Sequence, residues 1–413
     1  MPEAAELFQV VTVEEARRRI AAAWRGGRAA PERLSLIHAL GRRLAAALAS
    51  GEDVPGFNRS TVDGFAVRSA DTFGASESLP AYLKLAGEVE MGKTAGLELG
   101  PGYCAAVATG GMLPPGADGV VMVEYTEMLG GETVSMSRPV APGENVIRKG
   151  EDVAAGQEVL PAGCRLRPQE IGLLAALGFL EVEVAPRLKV GIVSTGNELV
   201  PPQEKPGPGQ VRDVNSYTLF GQVLSAGGQP SLYGIIPDDQ ARLAETVRQA
   251  LSENDLLLLS GGSSVGARDL TLQVLEDLGS GGVLFHGISL RPGKPTLAVA
   301  AGQGLAFGLP GHPVSAMVVF DLLVRPLLEE GGYGEESPAP ALEATLTRNL
   351  ASAAGREDHV RVRLKRRGQE WLAEPVLGKA GLLSSMVKAD GVVVIPLEAE
   401  GFNAGSRVMV RLI

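Results

Sequence analysis

Three acidic residues, Glu198, Asp238 and Asp269, follow closely on apolar runs, and the chemistry of this sequence starts there. The first run, Val190-Gly-Ile-Val-Ser, leads into Thr195-Gly196-Asn197-Glu198. The second, around residues 231–235, leads into Pro237-Asp238-Asp239. The third, Leu256-Leu-Leu-Leu-Ser260, opens into Gly261-Gly262-Ser263-Ser264-Val265-Gly266, with Asp269 shortly after. An unbroken apolar run that stops at Ser/Thr-Gly reads as a buried parallel strand opening into a loop. Open α/β sheets bind ligands beyond the carboxyl ends of such strands, where small residues let backbone N–H groups approach an anion. Carboxylate oxygens at the same ends suit a hard cation such as Mg²⁺. The pattern predicts an enzyme for a phosphate-bearing ligand and a divalent metal.

Each segment has a plainer reading beside the functional one. Glu198 either reaches a ligand or its metal from the strand end, or serves as a turn carboxylate. The segment Ser260–Gly266 offers close backbone approach at Gly261, Gly262 and Gly266 and hydroxyls at Ser260 and Ser264. It matches neither GxGxxG nor GxxxxGK[ST], so Rossmann or P-loop nucleotide binding is not supported. Asp269 is a metal ligand or the N-cap of the next helix, and an Asp238-Asp239 pair before a helix is also a common cap. Arg291-Pro292-Gly293-Lys294-Pro295 places two cations on a restricted turn, suited to pre-placed phosphate donors or simply to solubility. Pro310-Gly311-His312-Pro313-Val314-Ser315 enters a helix whose N-terminus could receive an anion. Ser60-Thr61-Val62-Asp63-Gly64-Phe65-Ala66, Thr109-Gly110-Gly111 and Gly150-Glu151-Asp152 read, taken singly, as turns.

These residues need a scaffold, and the patterning supplies one. Residues 13–23 show helical spacing, with Thr12 as cap. A second helix is expected over Ser35–Leu48, then a β-rich insertion with strands near 83–86, 103–107, 120–123 and 134–136. Pro168–Gly178 reads as a helix with proline in its first turn and glycine at its end. From Lys189 to about Leu328 strands alternate with helices, including 216–227, one ending near Leu251, 270–278 and 314–328, which gives a doubly wound sheet. A Gly/Pro/Glu linker over 331–340 precedes alternating runs near 342–346, 360–364, 392–395 and 408–412, a small β-barrel domain. The expected division is 1–53 with 149–185 as a split, mainly helical domain, 54–148 as a β-rich insertion, 186–333 as α/β, and 334–413 as barrel.

Bulk properties narrow the partners. At 413 residues several domains are expected, and 45% hydrophobic with 21% charged residues is an ordinary globular composition. A net charge of −10 argues against nucleic-acid binding. Cys104 and Cys164 have no CxxC partner, which makes a zinc site or disulfide framework improbable. The first residues lack a signal-peptide layout, and Asp321, Arg325 and Pro326 interrupt the longest apolar stretch, so a cytoplasmic, soluble chain without membrane association is expected.

Together the segments resemble the molybdopterin molybdenumtransferase family, which includes MoeA and the gephyrin and plant Cnx E-domains. The marks, in family order, are Ser60–Val67, Ala108–Gly111, Gly150–Val153, Ser194–Leu199, Gly209–Asn215, Ile235–Asp239, Ser260–Asp269, Arg291–Pro295 and Leu309–Ala316. Departures are Phe65 for the usual tyrosine, His286-Gly287 where a lysine is frequent, Arg291 for the first lysine of its turn, and His312 for asparagine.

The resemblance implies a molybdopterin-binding α/β domain and an elongated homodimer with a composite active site. In that site Asp63, Thr109 and Asp152 would serve the partner chain. It implies a reaction that takes adenylylated molybdopterin and molybdate, releases AMP and leaves molybdenum on the dithiolene sulfurs. Glu198, Asp238 and Asp269 would hold Mg²⁺, with Ser264, Arg291 and Lys294 on the anion, and Arg361 and Ser385 contributing from the barrel; Pro313 and Ser315 join the binding set. A molybdopterin adenylyltransferase and molybdoenzyme maturation factors are the implied partners. One rival, an adenylyltransferase, would lack the regions around 54–148 and 334–413. Another, a non-catalytic gephyrin-like scaffold, would have no use for Asp63, Asp238 and Asp269.

Overall fold

A computed structural model of the chain describes residues 10–261, 265–278, 281–331 and 340–413, the side chains of 265–269 and Glu330 excepted. The chain forms two compact units, one made by residues up to Ala30 together with Pro186–Ile413, the other by Pro31–Ala185.

In the larger unit, six strands form a sheet in the order Gln229–Ile236, Lys189–Thr195, Leu256–Gly261, Gly304–Leu309, Leu297–Ala301, Val283–His286. The first four run parallel, Leu297–Ala301 is antiparallel to them, and Val283–His286 is antiparallel to Leu297–Ala301 and so runs with the first four. Each apolar strand buries both faces. Ile192, Leu256, Leu258 and Phe307 pack on one side with the helices Val13–Ala23 and Asn215–Ser225. Val193, Leu257, Leu259 and Ala306 pack on the other with Gln240–Glu253 and Val265–Leu278. This two-sided cover is the doubly wound arrangement that continuous, non-alternating apolar runs require.

The helix Val13–Ala23 has the expected bounds, and the Thr12 side chain caps it by accepting from Glu15 N at 3.1 Å. Its Ala16 and Ile20 are fully buried in the sheet's core. The expected helix over 314–328 is continuous helical structure from Pro313 to Glu330, with a π-helical turn at Phe320–Val324 in its middle.

The barrel closes five strands: Glu357–Arg367, Glu370–Pro375, Ala341–Leu346, Arg407–Leu412 and Gly391–Ile395, the last pairing back to the first. Leu290–Arg291 adds to it as a parallel sixth strand beside Glu357–Asp358. The strand Glu370–Pro375 had no counterpart in the sequence reading. Most of the expected 331–340 linker lies outside the described residues.

In the other unit a six-stranded sheet runs in the order Gly119–Met122, Gly64–Val67, Tyr103–Val107, Ala81–Val89, Thr133–Met136, Thr126–Leu129. Ala66, Ala105 and Val120 face one core and Val67, Cys104 and Val121 the other. Gly64 is required here, since a Cβ would lie 2.0 Å from the Val121 carbonyl oxygen.

The expected helix over Ser35–Leu48 does not form. A 3-10 turn, Leu36–Ala39, is followed by irregular chain and the short strand Leu48–Ala49. Gly41 turns with φ +78°, and the N–H groups of Gly41, Leu44 and Ala45 donate to Leu166, Cys164 and Glu183 carbonyls instead of to their own helix. Tertiary partners outbid the alanine-rich propensity. The helix expected from Leu270 starts earlier, at Val265, which places Asp269 within the helix rather than at its N-cap. Among the described residues no helix is long and apolar enough to cross a membrane.

Because Ile20 has no exposure and joins the N-terminal helix to the sheet, Ile20→Ala should cost about 2–5 kcal/mol. Denaturant unfolding followed by the fluorescence of Trp24 would show it; an unchanged midpoint would mean the helix is not part of this core.

Candidate functional site

Register decides which loops meet. Thr195 pairs with Ile236 on one side and Gly261 on the other, and Ser260 pairs with Leu309. The loops that follow these strands, carrying Glu198, Asp238, Gly261 and Pro310–His312, therefore open along one edge. Gly261 lies against the neighbouring strand end at φ +137°, where a Cβ would sit 2.0 Å from the Thr195 carbonyl oxygen. Only glycine permits that approach.

Beside this edge lies a cavity of about 160 Å³. Gly261, Thr271, His286, Pro295, Leu297 and Gly308–His312 line it. Two of the chain's four histidines share the cavity, both at the positions that depart from the family pattern.

Asn215 ties the edge together. Buried to 8% exposure, it donates through Nδ2 to Ser260 Oγ at 2.5 Å and to the Gly311 carbonyl at 2.9 Å. Its Oδ1 is buried without a partner among the described residues. Beneath it Ser194 Oγ donates to Asp213 Oδ1 at 3.0 Å, and Asp213 accepts from Ser216 N at 3.1 Å. The sequence held Asn215 only as the last residue of a family mark. Its position at a helix start just after the strand-linked Asp213 was the available signal.

The acidic residues divide. Asp238 N donates to Asn197 Oδ1 at 3.2 Å, which fastens two neighbouring strand-end loops and leaves the Glu198 and Asp238 side chains exposed. Asp239 is the N-cap of its helix, accepting from Arg242 N at 2.8 Å, so the plainer reading applies to it. Among the described residues no group of three or more His, Cys, Asp or Glu could hold a metal ion. The side chain of Asp269, and Gly262 and Ser264 altogether, lie outside the described residues, and Gly266 is described only as part of its helix. Glu198 and Asp238 lie on adjoining strand-end loops.

The cations divide as well. Lys294 is exposed on its turn. Arg291 is engaged: its Nη1 lies 3.2 Å from Asp358 Oδ2. Arg361, on the barrel strand, is 8% exposed and gives one bond, Nη2 to the Gly378 carbonyl at 2.9 Å. Its Nε and Nη1 are buried with no partner among the described residues, and burial pushes the guanidinium below its ordinary pKa. Ser385, close to Gly378, spends its hydroxyl hydrogen on the Leu382 carbonyl at 2.6 Å and keeps only acceptor capacity.

The barrel segment carrying Gly378, Ala380 and Gly381 reaches the α/β edge. The Ala380 carbonyl accepts from Val314 N at 3.2 Å, and a Cβ on Gly381 would lie 3.4 Å from His312 Cδ2. At that helix start a barrel carbonyl takes the first amide after Pro313. Ser315 is buried within the first turn.

In the other unit, Asp63 Oδ1 accepts from Thr109 N at 2.7 Å and Thr109 Oγ1 at 2.9 Å. These bonds, the backbone one first, hold its carboxyl below the usual aspartate range. Ser60 N donates to Gly111 O and Gly110 N to Ser60 O, so the first two upstream marks interlace, while Asp152 N is bonded to Val54 O.

Family models match three stretches in the order the domains appear. They are the MoeA N-terminal region (domain I and II) over residues 11–178, a probable molybdopterin binding domain over 191–330, and the MoeA C-terminal region (domain IV) over 343–413. The chain belongs to the MoeA family. The molybdopterin molybdenumtransferase of Bacillus subtilis is 33% identical over 407 residues, covering 98% of this chain and 94% of that one. That of Haemophilus influenzae is 35% identical, covering 92% and 93%. The crystal structure of the molybdopterin biosynthesis moeA protein from Pyrococcus horikoshii OT3 is 32% identical with a TM-score of 0.85, covering 98% of this chain and all of that one. A MoeA-family chain of this coverage is an enzyme, a transferase of molybdenum cofactor biosynthesis.

Since the folded Asp63 carboxyl of this MoeA-family chain titrates below its unfolded value, its contribution to stability is complete above the ordinary aspartate range. That contribution is lost as pH falls through the depressed value. Carbon-detected NMR titration should place Asp63 below free aspartate, and Thr109→Val should move it upward; equal midpoints would remove the interaction.

Proposed function

We propose that the edge beside Ser260–Gly261, bordered by the Arg361 strand and the barrel segment at 378–385, takes adenylylated molybdopterin and molybdate. It inserts molybdenum and releases AMP, forming the molybdenum cofactor. The observation that carries this reading is Arg361. An unpaired buried guanidinium costs free energy unless an anion arrives, and its idle N–H groups can then donate to an oxyanion. Molybdate, a tetrahedral dianion, is such a ligand.

Each residue has a role in this proposal. Arg361 donates to the oxyanion, and Lys294 adds a mobile positive charge from its exposed turn. Ser385 accepts from a protonated oxygen or an ordered water. Gly261 allows ligand atoms to approach the backbone, Gly262, Ser264 and Gly266 belong to the binding set that the family resemblance implies, and Asn215 fixes Ser260 and Gly311 at the rim. Pro313 and Ser315 shape the start of the facing helix. Mg²⁺ held by Glu198, Asp238 and Asp269 would neutralise charge on the phosphoanhydride as AMP departs. Pre-placed donors and charge of this kind stabilise the transition state without a side-chain nucleophile. Asp63, Thr109 and Asp152 are proposed to serve the cleft of a second copy in a homodimer, the role the family resemblance implies. The four-part domain division, a cytoplasmic location, and handover from an adenylyltransferase to molybdoenzyme maturation factors complete the proposal.

Purified protein given adenylylated molybdopterin, Mg²⁺ and molybdate should form AMP and cofactor able to activate an apo-molybdoenzyme; neither product appearing would end the proposal. Arg361→Ala should lower molybdate-dependent turnover by about 100-fold or more, the scale for one lost oxyanion donor. Because the substitution deletes an uncompensated buried charge, melting should occur no lower than in the parent protein. Asp238→Ala and Asp269→Ala should each slow AMP release and raise the Mg²⁺ concentration needed for half-maximal rate. An unaltered Mg²⁺ requirement in both would remove the metal assignment.

A further inference from the structure

We propose that Arg291 is a positioning residue: paired with Asp358, it clamps the barrel strand that carries Arg361 to the Pro292–Lys294 turn, and it does not grip the anion itself. This rests on the functional reading above.

The strand Leu290–Arg291 starts beside the α/β sheet and pairs with the barrel, Leu290 opposite Glu357 and Arg291 opposite Asp358. Glu357 N donates to Ser289 O at 2.9 Å, so backbone bonding fixes the register. At that join the Asp358 side chain is 4% exposed, and each of its oxygens faces a different guanidinium. Oδ2 is 3.2 Å from Arg291 Nη1 and Oδ1 is 3.1 Å from Arg356 Nε. A carboxylate buried this far must keep its partners, because losing one leaves charge uncompensated in a poorly solvated place. Through Nη1 Arg291 supplies half of that compensation, and the carboxylate beside it offsets its attraction for an incoming oxyanion. Arg361 offers an anion two nitrogens, Nε and Nη1, whose N–H groups have no partner among the described residues.

Geometry also shows what the clamp would hold. Arg361 lies three residues beyond Asp358 on the same strand, about 10 Å along an extended chain. Three residues beyond Arg291 comes Lys294, after a turn whose Gly293 leaves no room for a side chain. A Cβ there would meet Val319 Cγ2 at 2.7 Å. The Ile288 and Thr296 N–H groups both donate to the Lys294 carbonyl, at 3.0 and 2.9 Å. The Arg291–Asp358 pair is thus a fixed point from which both proposed anion-binding cations are measured out along the chain.

The two roles for Arg291 give opposite results in a double-mutant cycle. If Arg291 bound the anion, Asp358→Asn would free it and leave the molybdate KM for AMP release unchanged or lower. If Arg291 positions, Arg291→Gln and Asp358→Asn should each raise that KM by about tenfold. The double variant should then match either single one rather than multiply them. Arg291→Lys, which keeps a charge for Asp358, should restore most of the loss, and kcat at saturating molybdate should fall less than KM rises. Independent, multiplying effects, or an Asp358→Asn protein with KM no higher than the parent, would overturn the proposal. A parent protein that releases no AMP would instead refute the functional reading on which it rests.

Discussion

Parallel registration of four neighbouring strands is the constraint on which the larger unit depends. Backbone bonding sets Ser194 beside Ser260 and Ser260 beside Leu309, so the ends of separate sequence stretches fall along one line. Slipping any strand by one residue would turn its buried side chains toward the wrong layer of helices. Helices cover both faces and the interior accepts only apolar atoms, so the polar groups of these segments collect at the strand ends. The site is a product of that exclusion.

Electrostatics completes what registration begins. An acidic chain with net charge −10 must concentrate its positive charge to attract an oxyanion, and it does so by burial rather than by number. Two guanidiniums near the join of the α/β and barrel regions are treated in opposite ways. Arg291 is paired with a buried carboxylate that it shares with Arg356, and Arg361 keeps N–H groups without a partner among the described residues. Similar side chains thus have different surroundings, and only their partners tell them apart.

Much of the fold was legible because its signals are local. The run Leu256–Leu259 between Asp255 and Ser260 could only be a short buried strand, and Thr12 followed by apolar spacing through Ile20 marked a capped amphipathic helix. Non-local competition defeated the same reasoning at Ser35–Leu48, where backbone donors found carbonyls more than a hundred residues away. Asp269 shows another limit. The sequence offered a cap or a ligand, whereas the helix starts before it. Asn215 could be seen as part of a family mark, but its bonds to Ser260 and Gly311 required three distant segments to be brought together.

By itself the sequence determined the class of each region, the order of the strand-end loops and the kind of ligand they suit. Those properties follow from periodicity, chain stiffness at glycine and proline, and side-chain chemistry, all of which act over a few residues. Only the tertiary structure decided which cation is spent on Asp358, which is kept free, and that a barrel carbonyl occupies the amide after Pro313. Those outcomes depend on burial and on partners far apart in the chain, where desolvation sets the cost of every unpaired charge.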